Sequence, residues 1–480
     1  MDVRQLLLLA LALAVPLVFF ALGKPRLVLG WVGLTLSIHI FDTTIFTNLP
    51  AGRVVGLIYL PYAIASAPCW LRLEPAKAWM LNFCYLVALG LLFGFIWPWP
   101  DTTGLRPVIM TAPGRAVVFL TRLVSDLSLT VFMARELQKP GRLRLLGQSV
   151  ALGASLTAIA AIFNFITKID PYFTITGLRD LAGNQRARGL SFEPRGLGMA
   201  CTYGLLMLII LPGRISTRRF GLIGINLLGL LVSYSTSSLA LFLAGLITAW
   251  TFLSNRIRFT ILGVVALLAL LVALAPFVVP QQFAVATQSV RERIDPTSKL
   301  RGAVAENIVE MIAYRLDSFD ASAVLFLADQ PEYLFIGTGP GMMLLPASEY
   351  VPPGVYRLMY PPEKGLDGLP THGMLLEVSN SGLIGLSLWL FQIISCFAAL
   401  RLVTHTETDP EQAKYWRFGK ALFIIAVVFY IVQVSMTSPV WSVILGIGWA
   451  AADQAAKHRR LRRKAAVPHT SPAPLTLQSS

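Results

Sequence analysis

Residues 259–279 read "FTILGVVALLALLVALAPFVV", a run of 21 residues without a single charge. As a helix rising about 1.5 Å per residue, such a run reaches roughly the 30 Å of hydrocarbon in a bilayer. It has no period-two alternation, so a strand of a membrane barrel is excluded. The run is not isolated. Candidate spans lie at approximately 5–22, 27–41, 54–70, 78–97, 115–134, 146–166, 197–212, 221–234, 237–254, 259–279, 374–400, 418–436 and 438–452. The fold class that follows is all-α, a polytopic helical membrane protein with about 12–13 transmembrane helices and one large, partly helical extracytoplasmic loop. The sequence around Tyr234–Ser238, "YSTSS", reads either as a tight turn or as a break within one long helix.

Composition agrees. Of 480 residues, 55% are apolar and 14% charged, and the mean hydropathy is +0.66. Soluble domains carry nearly twice that charged fraction. The first run, Leu6 to Leu22, is followed by Gly23-Lys24-Pro25 rather than a small-residue cleavage site, so it reads as a retained span.

The net charge of +15 does not point to nucleic acid, because its distribution follows the loops. Lys457, Arg459, Arg460, Arg462, Arg463 and Lys464 follow the last span. Arg214, Arg218 and Arg219 form a second cluster, and Arg142 and Arg144 a third. Basic residues in short loops beside spans mark the cytoplasmic side, where they also meet anionic headgroups of membrane lipids. The C-terminus is therefore expected in the cytoplasm, and residues 167–196 and 281–370 outside it. With thirteen spans the N-terminus comes out extracytoplasmic.

The chain divides into N-terminal helices with an outer loop at 167–196 (1–280), a large outer loop (281–370), C-terminal helices (371–456), and a tail that is basic and then disordered (457–480). The large loop carries 11 acidic against 7 basic residues. Within it, Ile308, Ile312, Leu316, Phe319, Ala323 and Phe326 recur at helical spacing, which predicts a helix over Asn307–Leu327. Arg315 would then share the apolar face with Met311, Leu316 and Phe319. It either snorkels to the edge or faces an anion. Pro331 and the glycines of "GTGPG" (337–341) end that helix. The stretch Pro346–Pro370 reads as irregular surface.

Cys69, Cys84, Cys201 and Cys396 lie in apolar runs without disulfide or metal spacing and read as small core residues. Of the five histidines, His372 stands alone at the mouth of an apolar run in "LPTHGMLLEVSNSGLIGL" (369–386). With no paired ligand a metal role is excluded. What remains is a helix-end anchor or a general base. Arg186, Arg188 and Arg195 in "NQRARGLSFEPRGLG" place positive charge on the outer side, against the topological trend. They pair with Glu193, Asp180 or lipid, or they grip phosphate. Arg122 and Asp126, four residues apart inside a span, form either a packing pair or a functional one. No nucleotide-binding or hydrolase motif is present.

Three stretches resemble a known family. "RARGLSFEPRGLG", "YRLDSFDASAVLFLADQPEYLFIGTGPG" and "THGMLLEVSNSGLIGL" are similar, in order and spacing, to segments of bacterial O-antigen ligases and O-antigen polymerases. These are integral membrane glycosyltransferases that use polyprenyl-diphosphate-linked glycans. The likeness covers about residues 190–390. Gly373 and Arg195 stand where the family pattern has asparagine.

The resemblance implies an inverting glycosyltransferase at the outer face of the bacterial inner membrane. Arg186, Arg188 and Arg315 would bind the donor diphosphate, and His372 would be the catalytic base. Arg195, Glu193, Glu377, Arg122 and Asp126 would lend support. No metal or other cofactor is needed, because the diphosphate is already an activated leaving group. The acceptor is either another repeat unit of a surface polysaccharide (polymerase) or lipid A-core (ligase). Polysaccharide assembly proteins are the further partners expected. The alternative of another class is a transporter or flippase of lipid-linked glycans, for which a polar cavity and two related halves would be the signs.

Overall fold

A computed structural model of the chain describes residues 3–42, 50–97, 111–178, 187–213, 216–252, 255–278, 280, 284, 287, 307–313, 316, 318–347, 350, 373–432 and 439–466. Among these the architecture is all-α, with no strand. The elements are α1 (Val3–Ala21), α2 (Pro25–Thr35), α3 (Ala51–Ala65), α4 (Ala67–Trp70), α5 (Glu74–Ile96), α6 (Ala112–Leu137), α7 (Arg142–Thr167), α8 (Pro171–Thr176), α9 (Pro194–Ile210) and α10 (Thr217–Val232). They continue as α11 (Thr236–Phe252), α12 (Asn255–Val278), α13 (Ile308–Ala313), α14 (Ser318–Asp329), α15 (Glu332–Ile336), α16 (Leu344–Ala347), α17 (Gly373–Thr406), α18 (Pro410–Val432) and α19 (Pro439–Ala466).

Each expected span overlaps one of these helices, except that 54–70 is divided between α3 and α4 and 27–41 outruns α2, which ends at Thr35. Six of them, α1, α5, α6, α7, α12 and α17, are long and apolar enough to cross a membrane. α3, α9 and α11 are apolar but shorter. The break near Tyr234 is real, since α10 ends at Val232 and Tyr234 turns at φ +48°.

Local chemistry explains many of the starts. Proline occupies the first turn of α2, α5, α6, α8 and α9, where its missing N–H costs nothing. Thr111, Asp170 and Ser216 cap α6, α8 and α10 through their side-chain oxygens. At the far end of α9, Arg219 donates to the carbonyls of Leu208, Ile209 and Leu211, which the helix leaves open.

The links sort onto two faces. On one face Arg4 donates to Thr174 O, His39 N to Leu190 O, Trp97 to Thr338 O, and Ser238 to Arg195 O. On the other, Lys457 donates to Gln138 at 2.7 Å, and Trp70 stacks on Trp449. Small residues let the helices close. A Cβ on Gly56 would lie 2.2 Å from Ser125 O, and one on Gly446 would lie 2.4 Å from the Met133 Cβ. Side chains such as Phe95, Phe277 and Ile166 are exposed on the outer surface, as a lipid-facing bundle requires.

Three expectations change. Asp126 is attracted by Arg122 on its own helix, but its hydrogen-bonded ion pair comes from elsewhere. Arg53 of α3 reaches it with Nε on Oδ1 at 3.2 Å and Nη2 on Oδ2 at 3.4 Å. The reach from a neighbouring helix supplies the two-pronged geometry that an i,i+4 pair does not. The single helix over 307–327 is two, α13 and α14. Ile308 and Met311 of α13 are exposed, whereas Ala323 and Phe326 of α14 are core, so the apolar spacing does not mark one buried face. Of the cysteines, Cys201 and Cys396 are buried, but Cys69 and Cys84 are exposed.

Removing one partner of a buried ion pair strands the other charge, at about 3–5 kcal/mol. Asp126→Ala is therefore expected to lower the thermal midpoint in detergent sharply. The double change Arg53→Met/Asp126→Leu should recover much of the loss, as read by fluorescence-detected size exclusion on heating.

Candidate functional site

The site region is built from three segments that end on the same face. The first is 187–196, leading into α9. Its organiser is Arg188, only 2% exposed. Nε donates to Asp170 Oδ2 at 2.8 Å, Nη1 to Phe192 O at 3.1 Å and Nη2 to Leu178 O at 2.8 Å. The guanidinium also lies over the Tyr172 ring, 4.7 Å from its centroid. Burial pushes the Tyr172 phenol up to about 12, with the Asp42 charge adding to the rise and Arg188 opposing it. Tyr172 is therefore a neutral phenol.

Gly189 turns at φ +60°, and a Cβ there would strike Thr157 O at 2.3 Å. Only glycine lets the segment lie this close to the α7 backbone. Thr157 in turn donates to Ser37 O at 2.8 Å, and His39 N to Leu190 O at 3.1 Å. This stitches the segment to the link after α2.

The second and third segments form one joint. α17 is broken at Gly382, whose φ of +62° and ψ of −166° are not helical. The "GTGPG" segment lies against the break. Thr338 N donates to Ser379 O at 2.8 Å and Gly339 N to Asn380 O at 3.1 Å, while Gly341 N donates to Asn380 Oδ1 at 2.9 Å. Thr338 Oγ1 adds a second bond to Ser379 O. Approach is closest at two glycines. A Cβ on Gly382 would lie 2.2 Å from Phe335 O, and one on Gly337 would lie 2.6 Å from the Asn380 backbone.

α5 holds the joint from the side through Tyr85, which donates to Ile336 O, and Trp97, which donates to Thr338 O, both at 2.9 Å. Behind it, Phe326 of α14 packs on Tyr333 and Tyr350.

The first half of α17 is tied down at two more points. Glu377, 1% exposed, accepts from Asn82 Nδ2 and from Ser381 Oγ, each at 2.9 Å. Tyr430, buried between Trp389 and Trp441, donates to Gly373 O at 3.0 Å.

Among the residues singled out in the sequence, Arg186, Arg315 and His372 lie outside the described residues, as does Asp180. Arg188 is committed to a structural clamp. Its guanidinium is engaged by Asp170 and by the carbonyls of Phe192 and Leu178. Glu193 is exposed and precedes α9 without capping it by its side chain. Arg195 sits in the first turn of α9, half-buried, beside Ser238. Glu377 belongs to the joint. Arg122 and Asp126 lie deeper, on α6.

Sequence reasoning missed Asn82, Asn380 and Asp170. Asn82 and Asn380 are amides in apolar runs, and Asp170 directly precedes a helix-starting proline. Each of these is a readable signal. Comparison with protein-family models returns no match, and comparison with curated proteins returns none at a significant level.

Gly382→Ala must push Phe335 away and force alanine into a conformation open essentially to glycine alone, at a cost of about 1–3 kcal/mol for the backbone. Limited proteolysis should then cut within 331–343 faster than in the wild type, with membrane insertion unchanged. Arg188→Ala should destabilise the 170–192 segment by roughly 3 kcal/mol, through the stranded Asp170 and the two open carbonyls. The readout is faster amide hydrogen exchange confined to that segment.

Proposed function

We propose that the protein is an inverting membrane glycosyltransferase that polymerises polyprenyl-diphosphate-linked repeat units of a bacterial surface polysaccharide. The observation that carries this reading is the joint. Residues 337–341 and 379–382, from two of the three stretches that resemble O-antigen polymerases and ligases, are bonded backbone to backbone. The third stretch, 187–196, lies on the same face.

The opposite face carries Arg142, Arg144, Arg218, Arg219, Lys414, Arg417, Lys457, Arg459 and Arg460. Under the positive-inside trend that face is cytoplasmic, and the jointed face looks out of the inner membrane.

In this reading the acceptor hydroxyl oxygen attacks the anomeric carbon of the donor. Its bond to that carbon forms as the bond from the anomeric carbon to the diphosphate oxygen breaks, with inversion. His372 takes the hydroxyl proton, and Arg186 and Arg315 neutralise the charge gathering on the departing diphosphate. Arg188 acts one step back, holding the segment in shape. The ligase reading differs only in the acceptor, lipid A-core in place of a lipid-linked repeat unit.

The broken α17 favours a second reading, transport, since discontinuous helices are where transporters place their binding sites. Against it, the carbonyls of Ser379 and Asn380 freed at the break are taken up by Thr338 and Gly339.

His372→Ala should reduce glycan transfer by a hundredfold or more, on the order of what a general base supplies, without loss of the inserted protein. Arg315→Lys should also be damaging, because lysine lacks the two-pronged grip. Electrophoresis of surface glycans from a complemented deletion strain reads both. Full-length chains with either variant would remove that residue from the mechanism. Chains that are made but never attached to lipid A-core would move the assignment to ligase.

A further inference from the structure

Beneath the joint, four helices line a small cavity of about 30 Å³, whose walls are largely apolar (Phe83, Leu86, Phe119, Leu123 and Leu445 among them) with a few polar groups set into them. α5 contributes Trp79 and Asn82, α6 contributes Asp126 and Thr130, α17 contributes Glu377 and Gln392, and α19 contributes Trp441 and Ser442. Glu377 precedes the break in α17 and Gln392 follows it, so the cavity spans the two halves of that helix.

Three atoms of these lining residues have no hydrogen-bond partner among the described residues. They are Gln392 Nε2 and Trp441 Nε1, both donors, and Asn82 Oδ1, an acceptor. Gln392 is 3% and Trp441 4% exposed. In a helical bundle surrounded by lipid, leaving such groups bare costs several kcal/mol each.

The ligand must accept from two N–H groups and donate to oxygen. Size then decides its class. A volume near 30 Å³ admits one or two water molecules and nothing as large as a sugar ring. A single water has the matching inventory of two acceptor and two donor positions, and buried waters typically make about three such bonds.

We propose that this cavity is a water-binding site, in which one or two buried waters accept from Gln392 and Trp441 and donate to Asn82 and the carboxylates of Glu377 and Asp126. The site joins Glu377, held on its other side by Asn82 and Ser381, to the Arg53–Asp126 pair. It hydrates two carboxylates that the bundle otherwise keeps from solvent, and it couples the two halves of α17 through hydrogen bonds rather than packing. The inference does not depend on the glycosyltransferase reading.

Radiolytic hydroxyl labelling of the full-length protein in nanodiscs, read by mass spectrometry, tests it, because radicals generated from a bound water mark the side chains around it. Trp389 and Trp449 are the controls. Both are as deeply buried as Trp441 and also have an unpartnered indole N–H, but neither lines the cavity. Trp441 should be labelled and the two controls spared. Gln392→Leu, which keeps the bulk but removes a donor, should abolish labelling of Trp441. Gln392→Glu, which keeps polar atoms in the cavity, should retain it. An unlabelled Trp441 in the wild type would mean a dry cavity and overturn the proposal. Equal labelling of all three tryptophans, or labelling of Trp441 undiminished by Gln392→Leu, would overturn it as well.

Discussion

A helix broken inside a membrane bundle must find partners for the backbone it frees, because lipid offers none. In α17 the break at Gly382 frees carbonyls at Ser379 and Asn380, and the amides of Thr338 and Gly339 supply the donors. Much of the architecture on this face follows from that requirement. Gly382 and Gly337 must lack side chains so that two backbones can touch. Tyr85 of α5 and Trp97 directly after it must reach the carbonyls of Ile336 and Thr338. α14 and α16 then bury Phe326, Met343 and Ala347 behind the docked segment. The described part of the segment between α12 and α17 thereby becomes part of the bundle wall.

Deeper in, the same demand is met by side chains. Arg53 and Asp126 neutralise one another between α3 and α6, and Ser125 closes the pair by donating to Arg53 O at 2.7 Å. Asn226 bonds Ser155 between α10 and α7. Close approach at small residues such as Gly56 gives these helices dispersion contact that lipid would not supply. Polar bonds and small-residue packing thus replace the hydrophobic driving force, which is weak between helices already in lipid.

The spans were legible because twenty-odd uncharged residues have few other solutions, and the helix starts because proline and capping residues mark them. The break in α17 was not. "SNSGLIG" fits an unbroken helix as well as a broken one, and what decides is a loop about forty residues upstream in the chain. The partner of Asp126 was hidden for the same reason, since Arg53 lies 73 positions away and a closer arginine, Arg122, offered itself. Arg188 read as an anion ligand because a sequence does not distinguish an open guanidinium from one already committed. The helix over 307–327 failed because its apolar spacing runs across two helices, one exposed and one buried. The sequence singled out three distant stretches without indicating which of them touch. Two of them proved to be bonded together, and the third lies on the same face.

The functional account rests on glycosyl transfer from a lipid diphosphate at the jointed face. Its most direct test is purified protein in proteoliposomes, supplied with one synthetic polyprenyl-diphosphate-linked repeat unit, without nucleotide and with a chelator present. The account predicts lipid-linked glycans longer by whole repeats, with one polyprenyl diphosphate released per linkage formed. Movement of the intact donor across the bilayer, with no lengthened product, would contradict it.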